Sequence, residues 1–445
     1  MKIHAVLFPL ARTTFFMPKA EENYDRSLRM LREVFGTIAC PDKLLTSPEA
    51  LGEFADTLTV VPDLIIYQCH TFIGADFVTE ITRRLDAPVL IWSVREPAGN
   101  GGRLKLNSLT GAFSAGNSLY MQERNYQFIL GNPEEEEVIR RFGQTKAALE
   151  TVKELRRLKV GVVGEQPPGF EFGAVDERLL VDTLGVRMVP VTVAEILRRA
   201  DTCSTAAIAA AADELGTHVR GWESLPAERM EKHARLRAAY QAFVDENGIR
   251  AVASRCWPDF FTEYGTPVCT VLSLLNDAGV AASCEADIPG AISMFIGIAL
   301  SGQAVYFGDP VAVDGACNGL VFWHCGAGAT SLAREGEGAR LGVHPNRQVG
   351  PTLEFGLKSG PVTLFRLGKT QSGFRLMAMK GDALDEPQRF HGTSVTVVPA
   401  TGLSSEKVAL WIRNGWEPHF TVAWGDITEE LRLMCELLNL EYVNG

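Results

Sequence analysis

Along the first two thirds of the chain, hydrophobic positions come in short, near-continuous runs separated by longer amphipathic stretches. Segments 60–68 (VVPDLIIYQ) and 88–93 (PVLIWS) read as buried parallel strands, with 75–85 (ADFVTEITRRL) as the helix between them. Apolar runs alternating with helices of about ten residues are the pattern of βαβ units. Asn132-Pro133, followed by a run of glutamates, opens a helix reaching about residue 158. Proline suits the first helical position, and carboxylates suit the positive end of the helix dipole. A second α/β series begins at 159–164 (KVGVVG), with strands expected near 186–191, 249–256, 280–286 and 303–308. The stretch 226–247, rich in charge and alanine, predicts a helix with a solvated outer face and His233 on its surface.

From about residue 345 the rhythm changes. Short alternating runs, 361–367 (PVTLFRL), 374–379 (FRLMAM) and 394–398, predict an antiparallel sheet or small barrel. The segment 426–429 (DITE) resembles a capping box opening an amphipathic helix that ends near Asn439. The expected fold class is therefore α/β. Two doubly wound parallel-sheet domains, 1–157 and 158–302, are followed by a β-rich, barrel-like domain, 303–445.

Composition narrows the partners. The chain has 445 residues, 46% of them hydrophobic and 22% charged, so it has room for several cores and is not a disordered scaffold. Its formal net charge is −11 and it has no Lys/Arg-dense run, which argues against nucleic acid or an anionic membrane as partner. No apolar stretch reaches the ~18 residues of a membrane span, and the start carries no signal-peptide pattern. Nine cysteines with no Cys-x-x-Cys spacing read as reduced thiols, and the expected location is cytoplasmic.

In open α/β sheets ligands bind beyond the carboxyl ends of the strands. There the chain places Arg255, at the end of 249–255, then Glu285 and Asp287, after 280–284, and Asp309, after 303–308. Each polar residue follows an otherwise apolar run. Carboxylates with an imidazole suit Mn²⁺, Mg²⁺ or Fe²⁺ better than a thiolate zinc site. Two histidines qualify by context: His324, between an apolar run and a glycine turn, and His419, at the start of an alternating strand. His70 and His391 are weaker candidates, and His4, His218 and His344 lack such a context. Cys256, Cys284 and Cys325 sit beside these positions, where buried thiols are commonly packing residues. The chain has no G-x-G-x-x-G after a strand, no Walker A, no G-x-S-x-G and no H-E-x-x-H; Gly-rich 99–102 reads as a loop.

The chain resembles the L-fucose and L-arabinose isomerase family of aldose–ketose isomerases. The residues that carry the likeness are 255–259 (RCWPD), 273–279 (SLLNDAG), 284–290 (CEADIPG), 307–310 (FGDP), Asn318, 324–326 (HCG) and 415–419 (GWEPH). Segment 361–367 resembles the family's C-terminal barrel strand, and Ile91-Trp92 and 106–108 (LNS) are the better fragments of the first domain. The resemblance implies a Mn²⁺-dependent isomerase, with Mg²⁺, Co²⁺ or Fe²⁺ as alternatives and no nucleotide cofactor. Glu285, Asp309 and His419 would be its metal ligands, and Glu285 and Asp309 its catalytic carboxylates. Trp92, Arg255, Asn318 and His324 would contact substrate, with His324 a second imidazole ligand in the alternative. The chain is shorter than classical fucose isomerases. Family members are usually hexamers in which a neighbour's first domain closes the active site, so a homo-oligomer, hexameric or trimer-based, is expected. The family includes isomerases of the sulfosugar sulfoquinovose, and the sequence is compatible with a deoxy-sugar, a pentose or such a sulfosugar.

The chemistry fits the residues themselves. Aldose–ketose isomerisation moves a proton between C2 and C1 through a cis-enediol, a task for one carboxylate with a second acid/base at the oxygens. A cation beside them supplies Lewis-acid stabilisation. Arg12, after the first apolar strand, would suit an anionic group such as a sulfonate at the far end of the sugar. The rival readings are an epimerase or lyase on the same scaffold and a non-catalytic sugar-binding protein.

Overall fold

A computed structural model describes residues 2–99 and 101–445, so Asn100 of the glycine-rich loop lies outside the described residues. The chain forms two compact units, Met1–Lys153 and Glu154–Gly445. The expected 157/158 boundary falls close to the division between them, and the expected 302/303 boundary lies inside the second unit.

The first unit is a parallel sheet whose strands run in the spatial order Ile38–Ala39, Ala5–Leu10, Leu64–Cys69, Val89–Ser93 and Tyr126–Leu130. Ala5–Leu10, Leu64–Cys69 and Val89–Ser93 are buried at every position, as strands covered by helices on both faces must be.

The second unit holds two sheets. A parallel sheet runs Arg187–Val191, Lys159–Val163, Ala251–Ser254, Ala281–Ser283. An antiparallel barrel closes through six strands, in the order Thr393–Pro399, Gly319–His324, Tyr306–Asp314, Phe420–Trp424, Gly360–Lys369 and Phe374–Ala383. It returns to its first strand through the pairing of Gly381 with Pro399. Closure removes the free edges an open sheet would expose. Leu320, Phe322, Leu364, Met377, Val397 and Val422 belong to the buried core of this unit.

The helix Ile288–Ser301 joins the two sheets. Its residues Ile288–Gly297 are all buried, because it lies against strands of the parallel sheet and of the barrel alike. A helix that is apolar all round is one that is covered all round. Asp287 caps it, accepting from the Gly290 backbone N–H at 2.8 Å, and Pro289 occupies its first turn. Gly290 is required by close approach: a Cβ there would lie 2.6 Å from the Phe307 ring.

Two expectations are corrected. The strand expected at 303–308 belongs to the antiparallel barrel and not to the parallel series, and it runs on through Asp309 to Asp314. The helix Ala227–Asn247 has no solvated His233. That imidazole is fully buried, because neighbouring helices and the loop carrying Trp222 cover the expected outer face.

Candidate active site

Glu285 follows the parallel strand Ala281–Ser283, and both Glu285 and Ala286 take left-handed backbone angles, φ +58° and +51°. Such angles cost a non-glycine residue of order 1–3 kcal/mol and persist only where the surroundings impose them. Here Ala286 N–H donates to the Ser254 carbonyl at 2.9 Å, and Gln166 Nε2 donates to the Ala286 carbonyl at 2.8 Å. Ser283 Oγ donates to the Asp287 carbonyl at 2.7 Å. The turn thereby aims the Glu285 carboxylate across the strand ends, where Trp257 Nε1 donates to Oε1 at 3.3 Å.

Asp309 lies within Tyr306–Asp314, opposite Trp323, just before a bulge between Pro310 and Ala312. Bulges re-aim side chains, and this one sits where the strand passes the site. His419 immediately precedes the strand Phe420–Trp424, which pairs with Tyr306–Asp314 through Gly308 and Phe420. Its Nε2 is 3.1 Å from Glu285 Oε2 and 3.2 Å from Asp309 Oδ1. Its Nδ1 is 2.9 Å from Asp287 Oδ2.

Asp287 is the hub that sequence reasoning left unassigned. Its carboxylate caps the joining helix, receives both terminal nitrogens of Arg366 (2.6 and 3.0 Å) and receives His419 Nδ1. Asp287, Arg366 and His419 are all fully buried. Burial alone would raise the Asp287 carboxyl, but Arg366 and His419 overcome it and hold it well below the usual range. The signals were present: an Asp-x-Pro-Gly helix start, and an arginine inside the otherwise apolar 361–367.

The electrostatics follow from this packing. Burial would lower the His419 imidazole, yet the charge of Asp309 and the hydrogen bonds to Asp287 and Glu285 raise it to about 10. Burial raises the Asp309 carboxyl, with Glu285 adding like charge and the two imidazoles opposing. His324 is buried beside them. Its Nδ1 accepts from the Cys325 backbone N–H at 3.0 Å, and Phe307 lies near both imidazoles, 6.2 Å from His324 and 4.6 Å from His419 between ring centres.

The donor set fits a divalent cation. Glu285, His324 and His419 each bring one ligand atom to within 4.8 Å of the others. His419 Nε2 is buried, and two carboxylates lie within 3.2 Å of it. A buried imidazole nitrogen pointed between carboxylates, with its other nitrogen tied to a third, is the carboxylate–histidine arrangement of metal sites. Cys269, Cys325 and His344 form a second group within the same distance. There His344 Nδ1 accepts from the backbone N–H groups of Asn346 and Arg347, both at 3.3 Å, and the group brings no carboxylate. Burial pushes the Cys256 thiol up, which suits packing and not a thiolate nucleophile.

The other expected contacts have partners of their own. Trp92 is a core residue of the first unit, fully buried, with its indole N–H on the Gly131 carbonyl at 2.9 Å and Phe142 against its ring. It presents no free atom to a sugar. Asn318 occupies a left-handed turn between two barrel strands, where its side chain donates to Gly402 at 3.0 Å and accepts from Ser404 N–H at 2.8 Å; its polar atoms are used in holding that turn. Arg255 is ion-paired with Asp259 and donates to the Glu165 carbonyl at 3.3 Å. Arg12, in the first unit, gives its guanidinium to Asp76 at 2.7 Å and lies over Phe77.

The chain is 42% identical over 436 residues to the sulfoquinovose isomerase of Clostridium sp. (strain MSTE9), covering 97% of each chain. It is 42% identical over 436 residues to that of Alkalicoccus urumqiensis, covering 98% of each, and 40% identical over 435 residues to that of Priestia aryabhattai, covering 97% of each. No protein-family model matches the chain.

Proposed function

This chain belongs to the sulfoquinovose isomerase family, and from that premise and the site we propose that it interconverts an aldose sulfosugar, sulfoquinovose, with its 2-ketose. The observation that carries the reading is the convergence of two carboxylates, Glu285 and Asp309, on one imidazole nitrogen, His419 Nε2. A sugar-binding protein has no use for two carboxylates gathered on a buried imidazole, whereas a proton-transfer enzyme requires such groups.

Glu285, Asp309 and His419 are the residues we assign to hold Mn²⁺ or a similar divalent cation. When bound, such a cation supplies Lewis-acid stabilisation to the oxygens of C1 and C2. Asp309, raised by burial, is our assignment for the group that removes the C2 proton and returns it to C1 on the same face. Glu285 is held in place by the Trp257 N–H and the strained turn. His324, with Nδ1 occupied by a backbone N–H, is our assignment for the group that serves the proton moving between the two sugar oxygens. Asp287 keeps the His419 tautomer fixed and touches no reacting atom.

The apolar face of the helix Ser108–Met121 supports a homo-oligomer. The helix carries no charged residue, and Phe113, Tyr120 and Met121 are each about three-quarters exposed. A second copy of this chain is the partner such a self-complementary face fits.

The test is incubation of Mn²⁺-loaded protein with sulfoquinovose in D₂O. Formation of the ketose, with deuterium appearing only at the carbon that exchanges, supports the reading. Epimerisation at C2 without ketose, or release of sulfite, would replace it with the epimerase or lyase alternative.

A further inference from the structure

We propose that Arg347 is the specificity residue that binds the substrate's sulfonate, with the sugar lying along Trp257 between the guanidinium and Glu285. The inference rests on the functional reading above and adds to it the residue that distinguishes a sulfosugar from a neutral one.

Several cations lie near the site, and most are already committed. Arg366 is buried on Asp287, and Arg255 is paired with Asp259. Lys369 Nζ donates to the carbonyls of Glu171 and Ala174. In the other unit Arg12 is paired with Asp76. Arg347 differs. Among the described residues no carboxylate pairs with it, in a chain whose net charge is −11. Its guanidinium carbon lies 5.0 Å from the centre of the Trp257 ring, and the N–H of that same indole bonds Glu285 at 3.3 Å. The unpaired cation therefore stands one indole away from a carboxylate of the site.

The loop that carries Arg347 is built to hold it. His344 is buried, its ring edge-on to Phe261 at 5.1 Å, and its Nδ1 accepts from the N–H groups of Asn346 and Arg347. Gln348 N–H donates to the His344 carbonyl at 2.8 Å, and His344 N–H to the Val349 carbonyl at 3.1 Å. Residues 344–349 thus form a small closed loop, and the stack on Trp257 fixes the exposed side chain at modest cost in entropy.

The chemistry selects an anion. A guanidinium presents parallel N–H donors that match tetrahedral oxyanions, and stacking on an aromatic face leaves those in-plane donors free. In a six-carbon sulfosugar, chain bonds of about 1.5 Å put the sulfur roughly 7–8 Å from C1 when the chain is extended. The indole and its two contacts set the scale of the gap that such a chain would bridge. A neutral sugar leaves Arg347 solvated, so selectivity arises as a difference between two substrates.

The test uses Arg347→Met, which retains an aliphatic stem over Trp257, with Arg347→Lys and Lys369→Met for comparison. Initial rates of the Mn²⁺-loaded enzyme are measured on sulfoquinovose and on quinovose, its neutral 6-deoxy counterpart. Calorimetry measures binding of the non-isomerisable alditol made by reducing sulfoquinovose. Arg347→Met is expected to lower the ratio of kcat/KM for the two sugars at least 30-fold, mostly through KM, and to weaken alditol binding comparably. Arg347→Lys should restore part of both. A ratio within threefold of the parent protein, or a larger fall in Lys369→Met or Arg12→Ala, overturns the assignment to Arg347 while the isomerase reading stands. If the parent protein isomerises no sulfosugar yet binds the alditol through Arg347, the activity reading fails and the anion site remains. Absence of both turnover and alditol binding overturns both.

Discussion

His419 Nδ1 lies 2.9 Å from Asp287 Oδ2, and this buried contact joins the helix that bridges the two sheets to the imidazole at the centre of the site. One carboxylate thereby caps that helix and holds that imidazole. Replacing Asp287 with asparagine leaves Arg366 as an uncompensated buried cation. Removing one partner of a buried pair costs about 3–5 kcal/mol. Loss of the oxygen that orients His419 should also weaken Mn²⁺ binding by about 10–100-fold. Thermal melts and manganese calorimetry read the two effects separately, and unchanged metal affinity in a folded Asp287→Asn protein would dissociate them.

Glu285→Gln and Asp309→Asn are near-isosteric and remove the acid/base function. Each should lower kcat by about 10²–10⁴-fold with a small change in melting temperature. On the proton assignment above, Asp309→Asn should also abolish the exchange of C2 hydrogen with D₂O, measured by NMR. Persistent exchange would move the carbon base to Glu285.

Dialysis against a chelator should abolish turnover, and Mn²⁺ should restore it better than Zn²⁺. Full turnover in protein shown by elemental analysis to hold no metal would exclude the cation from the mechanism. His419→Ala should lose metal, and metal analysis of His324→Ala separates its two roles: retained metal with lost rate gives His324 to the substrate, and lost metal makes it a second imidazole ligand.

His70 and His233 are fully buried, their ring nitrogens lack partners, and burial pushes both down to about 3. An unfolded imidazole titrates near 6.5, so above that pH neither state takes up a proton and the groups add no pH dependence. As pH falls from about 6.5 toward 3, the unfolded chain binds protons that the folded chain refuses. Stability then falls by about 1.4 kcal/mol per pH unit for each imidazole. His233→Leu should flatten this slope in the unit Glu154–Gly445, as urea midpoints between pH 7 and pH 5 would record. An unaltered slope would show that His233 takes up its proton in the folded state.

Trp92→Phe removes the N–H from the Gly131 carbonyl and should cost about 1–3 kcal/mol in the first unit, with kcat/KM altered less than twofold. A selective rise in KM would return Trp92 to the substrate.

The sequence by itself determined the elements whose physics is local. Covered parallel strands announce themselves as near-continuous apolar runs such as 64–67 and 89–92, and the barrel strands as alternation in 361–367. Glu285, Asp309 and His324 were legible because each ends such a run, and His419 because it opens one. What local pattern cannot encode is which face of an element another element will cover. His233, on a charged helix, is buried because neighbouring helices and the Trp222 loop close over it. Trp92, beside a promising fragment, turned into a core. Asp309 ends an apolar run that belongs to the barrel, because closure of an antiparallel sheet depends on partners as distant as Phe420. The hub formed by Asp287, Arg366 and His419 draws on residues 287, 366 and 419. Only burial in the tertiary fold brings them together, since a charge with no water near it must find its counter-charge wherever the chain provides one.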